Sequence, residues 1–513
     1  MNKKTITLTL LVFILAICVR CYWFSQKTGF HADEGMAIGI SHNNPAFENY
    51  LPEKTYTAKE LKSVNFYSSN SDIKSIVKDI KALQKGSSDK LSTNLYYSLF
   101  RAFQLNQDSQ SIMQYIQRGF FLNLFIFTLS FFVMFKLLNL FDFDKNYIPF
   151  VLLVCFLNTG SISNTLFIKA YILQEFAYIL LAYVFVRNIK LLKNNGNILN
   201  FKNILLLIFS ISLSLFSGYF SLFYLSLLFI AYVIYAIKQK AYKNIGILLT
   251  TGVVSLLLVY LIYPSFFEIL FVDNPTNSSN FSIFGYSLIS LAKTMLSLIC
   301  KYLFYIPILF ILAYCIFHLA KNKIKPANNL VIVLVIINFL VAILSLYFGI
   351  YKILRYIVPT FAIISLILPF LIFELDEKRK NILVITTIII YVLASILPKT
   401  VESYDSAITV QKENKYFPNI ENTFNSVQCI PIEKANVPIV LFTIEDWQMY
   451  NILPYMKDNQ VVILNHYNQK IKPLNHFIVL LADYEILSPK NYDVIQRFNC
   501  QRFTGYEIKK IEK

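Results

Sequence analysis

The chain has 513 residues, 56% apolar and 16% aromatic with only 15% charged, and its mean hydropathy is +0.53. Soluble domains average about 45–50% apolar and about 25% charged, so this composition argues against an ordinary cytosolic enzyme. The formal charge of +17, from 47 Lys+Arg against 30 Asp+Glu, would suit a nucleic-acid binder, but the apolar runs would not; a polytopic membrane protein accounts for both.

Apolar runs able to cross about 30 Å of hydrocarbon fall near 5–24, 119–140, 147–167, 170–187, 203–217, 219–237, 245–264, 300–320, 329–348, 355–373 and 382–397, eleven in all. The first follows Met1-Asn2-Lys3-Lys4 as a signal peptide would. It lacks a small-x-small cleavage site, and Leu15-Ala16-Ile17-Cys18 has isoleucine where a lipobox needs a small residue, so it is expected to stay as an anchor. The stretch 203–237 reads either as one long helix or as a hairpin broken at Ser217-Gly218. Basic residues flank it on both sides (Arg187, Lys190, Lys193 and Lys202 before; Lys238, Lys240 and Lys243 after), which places both ends in the cytoplasm and requires an even number of crossings. The hairpin is therefore expected.

With Lys3 and Lys4 inside, the cytoplasmic ends and loops hold 17 Lys+Arg against 5 Asp+Glu. Most of the charge thus sets orientation and is no nucleic-acid footprint. The expected location is the cytoplasmic (inner) membrane of a bacterium, multi-pass, with the N-terminus cytoplasmic. Two large pieces then lie outside. Residues 25–115 include the amphipathic helical stretch Asp72 to Gln84. Residues 399–513 contain short β-branched runs (Val437 to Thr443, Val461 to Asn465, Phe477 to Ala482) and read as a small extracytoplasmic α/β domain. The expected division is a membrane domain over 1–398, with 25–115 as its first outer loop, and the C-terminal domain over 399–513.

Cys18, Cys21, Cys155, Cys300 and Cys315 lie in or beside spans and read as packing residues. Cys429 and Cys500 are the two cysteines of the outer domain. In an oxidising compartment they would close a disulfide loop; the alternative is two unpaired thiols. The five histidines (His31, His42, His318, His466, His476) have no metal-ligand spacing, so no metal site is expected. The chain carries no Walker loop, no G-x-G-x-x-G after a strand, and no metal-type C-x-x-C pair.

Chemistry concentrates at the outer ends of spans. Phe30-His31-Ala32-Asp33-Glu34-Gly35 follows the first span and sets two adjacent carboxylates at the membrane surface. A carboxylate in a partly dry cleft there gains basicity, although acidic pairs are also common on solvated loops. Basic residues in short outer loops run against the usual bias. Lys169, followed by Tyr171, lies between the third and fourth spans; Lys352 and Arg355 precede Tyr356 before the tenth; Arg118 starts the second. Such residues beside tyrosine anchor lipid headgroups, or they form a pocket for a phosphate at the membrane surface. Both readings stand on the residues alone.

Taken in order, these features resemble membrane glycosyltransferases of the C-type fold: Asp-Glu after the first span, the pair Tyr96-Tyr97 late in the first outer loop, Lys169-Ala170-Tyr171, and Arg355-Tyr356-Ile357-Val358-Pro359. The group that comes nearest is family 39, which includes protein mannosyltransferases and lipid A aminoarabinose transferases. Relatives often read Asp-x-x-His-Pro-Pro-Leu-Tyr-Tyr where this chain has Asp89 to Tyr97 without His-Pro-Pro, and Glu-Ala-Arg-x-Tyr where it has Phe167-Ile168-Lys169-Ala170-Tyr171.

The resemblance implies an inverting transfer of a hexosyl or pentosyl group from a polyprenyl-phosphate sugar to an acceptor at the outer face. Asp33 would be general base, with Glu34 shaping the acceptor site. Lys169, Tyr171, Lys352, Arg355 and Tyr356 would hold the donor phosphate, and His31, Tyr96, Tyr97 and Arg118 would line the acceptor or donor pocket. The partners implied are that lipid-linked sugar, an acceptor glycolipid, polysaccharide or protein, and membrane lipids. No cofactor is implied; a divalent cation stays open as an alternative that ligand spacing does not support. The rival readings are a lipid-linked-sugar transporter or flippase, and a non-catalytic relative that binds such a lipid.

Overall fold

The structure is a computed structural model that describes residues 2–25, 27, 32–42, 51–65, 72–85, 94–105, 112–193, 200–264, 266, 288–322, 328–349, 354–396, 432, 434–442, 449, 452–465, 474–482, 492–500 and 503–511. Its helices in chain order begin with α1 (Lys3–Ser25), α2 (Ala32–Ser41), α3 (Ala58–Asn65), α4 (Ile73–Lys85), α5 (Leu95–Ala102) and α6 (Ile112–Leu140). Then come α7 (Ile148–Phe156), α8 (Thr159–Leu166), α9 (Tyr171–Lys193), α10 (Phe201–Ser217), α11 (Ser221–Lys238) and α12 (Tyr242–Ile262). The last are α13 (Leu288–Ile299), α14 (Tyr305–Lys321), α15 (Asn329–Phe348), α16 (Phe361–Ile364), α17 (Ile367–Phe373) and α18 (Glu377–Ile396). Two compact units result. One holds Met1–Ser25, Lys90–Tyr96 and Phe120–Tyr404; the other holds Gln26–Asp89, Tyr97–Gly119 and Asp405–Lys513.

The first unit is a helical membrane body. Among the described residues, eight helical runs are long and apolar enough to cross a membrane, and a bent pair, Lys145–Phe156 with Thr159–Leu166, makes a ninth. Adding the shorter apolar helices Phe201–Ser217 and Val358–Phe373, each of the eleven apolar runs of the sequence corresponds to helix. This is a multi-pass α-helical membrane protein. The run Ile289–Lys321 spans 33 residues, longer than its hydropathy suggests because Lys293 and Lys301 interrupt the apolar pattern without ending the helix. A five-residue π-helical segment, Cys300–Phe304, joins α13 to α14.

α9 is the centre of this body, with 89% of its apolar window buried. The α10/α11 hairpin packs against it. The hairpin turns at Gly218, whose φ of +150° lies outside the range L side chains favour. A Cβ there would lie 2.1 Å from Gln174 Nε2, and that same amide donates to the Ser217 carbonyl at 3.1 Å. The expected break at Ser217-Gly218 is thus fixed by a close approach of α9.

Asn158 makes the 61° bend between α7 and α8. Its Nδ2 donates to the Cys155 carbonyl at 2.7 Å, satisfying an acceptor left over at the end of α7. Its Oδ1 accepts from the Ser161 amide at 2.8 Å and so caps the start of α8. One side chain closes one helix and opens the next. Thr159, the first residue of α8, is held by the π segment and the start of α14: its Oγ1 donates to the Tyr302 carbonyl at 3.1 Å and its amide to the Tyr305 hydroxyl at 2.9 Å.

The second unit is built on a six-stranded mixed sheet, with β1 (Thr55–Thr57), β2 (Ile439–Phe442), β3 (Val461–Asn465), β4 (His476–Ala482), β5 (Tyr492–Cys500) and β6 (Phe503–Lys510) in the order β1-β3-β2-β4-β6-β5. β2 runs parallel to β3 and β4, and its four residues are all buried, as the continuous apolar run of a central parallel strand requires. Val440, Phe442, Phe477, Val479, Leu481, Tyr506 and Ile508 form the core on one face. β1 comes from the segment between α2 and α3 and pairs antiparallel with β3. That segment, read from the sequence as an appendage of the membrane domain, contributes an edge strand to the C-terminal sheet. α4 matches the expected amphipathic helix 72–84, with Asp72 accepting from the Lys74 and Ser75 amides at 2.9 and 3.0 Å as its cap.

Candidate functional site

In the membrane unit Lys169 and Arg355 adjoin, in sequence, residues of one aromatic cluster. α8 ends at Leu166, and Phe167 turns extended (φ −94°, ψ 116°). The Lys169 amide donates to the Phe167 carbonyl at 2.9 Å, so α9 restarts at Tyr171 after a turn of four residues, 167 to 170. Phe167, Tyr171 and Tyr356 are buried together with Phe220 packed against them. The ring centroids of Tyr171 and Tyr356 lie 6.2 Å apart, and those of Phe220 and Tyr356 lie 5.4 Å apart.

Lys169 lies between two of these rings in sequence and is 5% exposed. Arg355 adjoins the third, its guanidinium 5.8 Å from the Tyr356 ring centroid, within cation–π range. Gly349 makes room for that ring, since a Cβ there would come within 2.5 Å of Tyr356 Cδ2. Residues 186 positions apart in the chain are thereby brought to one place. Lys352 and His31 lie outside the described residues, as do Cys429 and the side chain of Cys500.

The turn bearing Lys169 is held from below and from the side. Asn123 Nδ2 donates to the carbonyls of Thr165 and Phe167 at 3.0 and 2.8 Å, and its Oδ1 accepts from the Tyr96 hydroxyl at 2.7 Å. Tyr96 is fully buried, so this predicted pocket residue acts on the turn through Asn123.

Beneath the turn, Arg20 of α1 and Glu175 of α9 are both fully buried. Arg20 Nε donates to Thr165 Oγ1 at 2.9 Å, and its Nη2 donates to Ser161 Oγ at 3.0 Å and to the Phe156 carbonyl at 3.1 Å. Ser161 Oγ in turn donates to Glu175 Oε1 at 3.3 Å, while Asn164 Nδ2 donates to Glu175 Oε2 at 2.7 Å. The Arg20 guanidinium also stacks 3.7 Å from the Phe127 ring centroid. A cation on α1 and an anion on α9 therefore grip α8 between them, each through hydrogen bonds that partly replace the water it has lost. Asn123, Asn158 and Asn164 left no trace in motif spacing; the one available signal was an amide side chain inside an apolar run.

In the second unit, the adjacent carboxylates occupy the first turn of α2. Asp33 is half-buried. Glu34 is 1% exposed and ion-paired with Lys27, a partner the sequence reading did not name. The two acids therefore differ in setting, one committed to a buried pair and one with part of its surface open. Further along, His42 is buried, with Nδ1 2.9 Å from the Ile38 carbonyl and the Tyr115 ring edge-on at 5.1 Å. Burial, reinforced by the Arg101 charge, pushes its pKa down to about 3. Arg101 Nε donates to Asp79 Oδ2 at 2.8 Å in a buried pair. Tyr97 is fully buried, and Arg118 donates to the Phe103 carbonyl at 3.2 Å. Among the described residues no group of three or more His, Cys, Asp or Glu has metal-site geometry.

No protein-family model matches the chain. No curated protein matches it either. Two solved structures are similar to it. One is the apo crystal structure of the Archaeoglobus fulgidus oligosaccharyltransferase, at 11% identity and a TM-score of 0.43, with 90% of this chain and 65% of that one covered. The other is the oligosaccharyltransferase AglB of the same archaeon with an inhibitory peptide and a dolichol-phosphate, at 12% identity and a TM-score of 0.44, covering 90% of this chain and 64% of that one. The chain thus spans slightly less than two thirds of the length of either.

Proposed function

We propose that the chain is an inverting membrane glycosyltransferase that moves a sugar from a polyprenyl-phosphate donor to an acceptor hydroxyl outside the cytoplasmic membrane. The observation that supports this reading is that the Tyr171–Tyr356 contact brings together two short segments far apart in sequence, one bearing the buried Lys169 and the other Arg355. Cations held against low-dielectric rings are fitted to charge that builds up as a phosphate departs. Nucleotide sugars stay in the cytoplasm, so an outward-facing enzyme needs a donor that crosses with the membrane, which a polyprenyl phosphate does.

Asp33 is the general base. It takes the proton from the acceptor hydroxyl as that oxygen forms a bond to the anomeric carbon and the bond from that carbon to the phosphate oxygen breaks. The leaving phosphate needs charge stabilisation and no proton, so a single carboxylate suffices. Lys169, Lys352 and Arg355 supply the positive charge, and Tyr171 and Tyr356 wall the site. Glu34, already paired with Lys27, holds the segment that presents Asp33.

The transporter reading draws on broken helices and buried charges, and both occur here. Yet Arg20 hydrogen-bonds to α1, α7 and α8, and Glu175 to Ser161 and Asn164 of α8, which supports a brace for the Lys169 turn over a transport route.

The test is release of polyprenyl phosphate from a polyprenyl-phosphate sugar by the reconstituted full-length protein, comparing wild type with Asp33→Asn. Transfer should be lost in a variant that still inserts; near wild-type release would overturn the assignment, and donor binding without release would favour the non-catalytic relative. Mass spectrometry of lipid A, envelope polysaccharide and exported proteins from cells with and without the chain identifies sugar and acceptor through the missing mass.

A further inference from the structure

α9, α10, α11 and α12 enclose an apolar groove of about 510 Å³, within the range of about 300–1,000 Å³ found for ligand pockets. It belongs wholly to the membrane unit and is separate from the Lys169 turn. Its few polar lining groups are unevenly spread. Asn188 lies two residues before Lys190 near the end of α9, Asn244 lies in the first turn of α12 beside Lys243, and Tyr232 faces the groove from the second half of α11, which ends at Lys238. That end of the groove lies at the helix ends that carry Lys193, Lys238 and Lys243, Lys190 being paired with Asp142 at 2.8 Å; along the rest, Ser226 is the one polar side chain in an apolar lining.

A second observation comes from α12. Gly252 lines the groove in mid-helix, where glycine is less stable than alanine. Tight packing normally explains such a residue, yet a Cβ built there meets no atom within 4 Å. The space beside its backbone is open, as it would be where a ligand chain lies against the helix.

From this we infer that the groove is a binding site for one anionic glycerophospholipid, with an acyl chain in the apolar channel past Gly252 and the phosphate among Lys193, Lys238 and Lys243. Charge complementarity selects the occupant. Lysines at a membrane surface favour anionic over zwitterionic headgroups, and Asn188 and Asn244 offer amide donors at the same end. This assignment does not depend on the glycosyltransferase reading.

Native mass spectrometry of the full-length, delipidated protein titrated with dioleoyl phosphatidylglycerol or with dioleoyl phosphatidylcholine tests it. The first phosphatidylglycerol should bind about tenfold more tightly than phosphatidylcholine, and Lys238→Glu with Lys243→Glu should erase the preference. Gly252→Phe should abolish the tight site by filling the channel. Gly246→Phe is the control, because that glycine also has open space around its Cβ but lies on the same helix outside the groove. If Gly252→Phe does not fold, Leu225→Trp fills the channel from α11. Equal affinity for the two lipids, indifference to both filling variants, or tighter binding of polyprenyl phosphate at this site would each overturn the inference.

Discussion

The Tyr96 hydroxyl donates to Asn123 Oδ1 at 2.7 Å, and Asn123 spends both its amide hydrogens on the carbonyls of Thr165 and Phe167. A tyrosine ahead of the second span thus fixes the turn after the third, two residues before Lys169. Removing the hydroxyl in Tyr96→Phe leaves Asn123 Oδ1 buried without that donor, a loss of about 1–3 kcal/mol. Asn123→Leu removes three hydrogen bonds at once, two to carbonyls and one from the hydroxyl, and should cost more. Thermal unfolding in detergent checks the order: wild type most stable, then Tyr96→Phe, then Asn123→Leu. Equal melting temperatures would show that the turn does not depend on this chain of bonds.

Arg20 and Glu175 make a second prediction. Each is fully buried and each grips α8 through Ser161. Taking one member from a buried charged network typically destabilises by about 3–5 kcal/mol because the other charge is left uncompensated. Arg20→Met and Glu175→Leu should therefore each lower stability sharply, and the double variant should be less damaged than the sum of the two. A strictly additive double variant would mean the two charges do not sense each other.

How much of this was legible beforehand differs by level. The eleven runs and strands β2 to β4 followed from hydropathy and β-branched patterning, because a lipid-facing span or a central strand leaves an uninterrupted apolar signal, and the hairpin at Gly218 followed from the basic residues on both its flanks. β5 and β6 did not. Asp493, Gln496, Arg497 and Asn499 dilute the apolar pattern of β5, which lies at the sheet edge. β1 is three residues long, too short for any periodicity. At the site, Lys169 and Arg355 stood out because cations are rare in short outer loops, and the Tyr171–Tyr356 contact was implicit only in their shared motif style. Asn158 was invisible, since a bend made by one side chain capping two helices looks in sequence like one polar residue in an apolar stretch.

The cations around the aromatic cluster should differ in their tolerance to exchange. Lys169→Met removes a charge that the proposed reaction needs, and losing such a preorganised donor typically costs on the order of 10²–10³ in rate. Arg355→Lys keeps the charge but loses the planar guanidinium that lies near Tyr356, so it should also fall well below wild type. Steady-state release of polyprenyl phosphate checks both, and an Arg355→Lys enzyme as fast as wild type would assign that residue a charge role alone.

The two acids of α2 separate by function and stability. Asp33→Asn should drop transfer by about 10²–10⁴, the usual contribution of a general base, out of proportion to any loss in melting temperature. Glu34→Gln should do the reverse in part, because it leaves the Lys27 ammonium facing a neutral amide beside a side chain that is 1% exposed. Measuring melting and turnover on the same preparations decides it. A pair of variants with matching losses in both quantities would contradict the division of roles.

His42 gives a pH test that needs no substrate. Its pKa falls from the ordinary 6.5 to about 3, first because burial penalises the imidazolium and second because the Arg101 guanidinium repels it. The folded protein therefore keeps His42 neutral over a range in which the unfolded chain would take up a proton. Its contribution to stability is complete above about pH 6.5 and is lost as pH falls towards 3, with a slope of up to about 1.4 kcal/mol per pH unit. Replacing the ring in His42→Gln removes that proton uptake from the unfolded state. The variant should start less stable at neutral pH, because the contacts to Ile38 and Tyr115 are gone, and then lose less stability than wild type as pH is lowered from roughly 7 to 5. The buried Asp79–Arg101 pair next to it is unchanged in both proteins, so the difference between the two melting curves isolates His42. Parallel curves across that range would show that His42 is protonated in the fold, and would put its ring in contact with water.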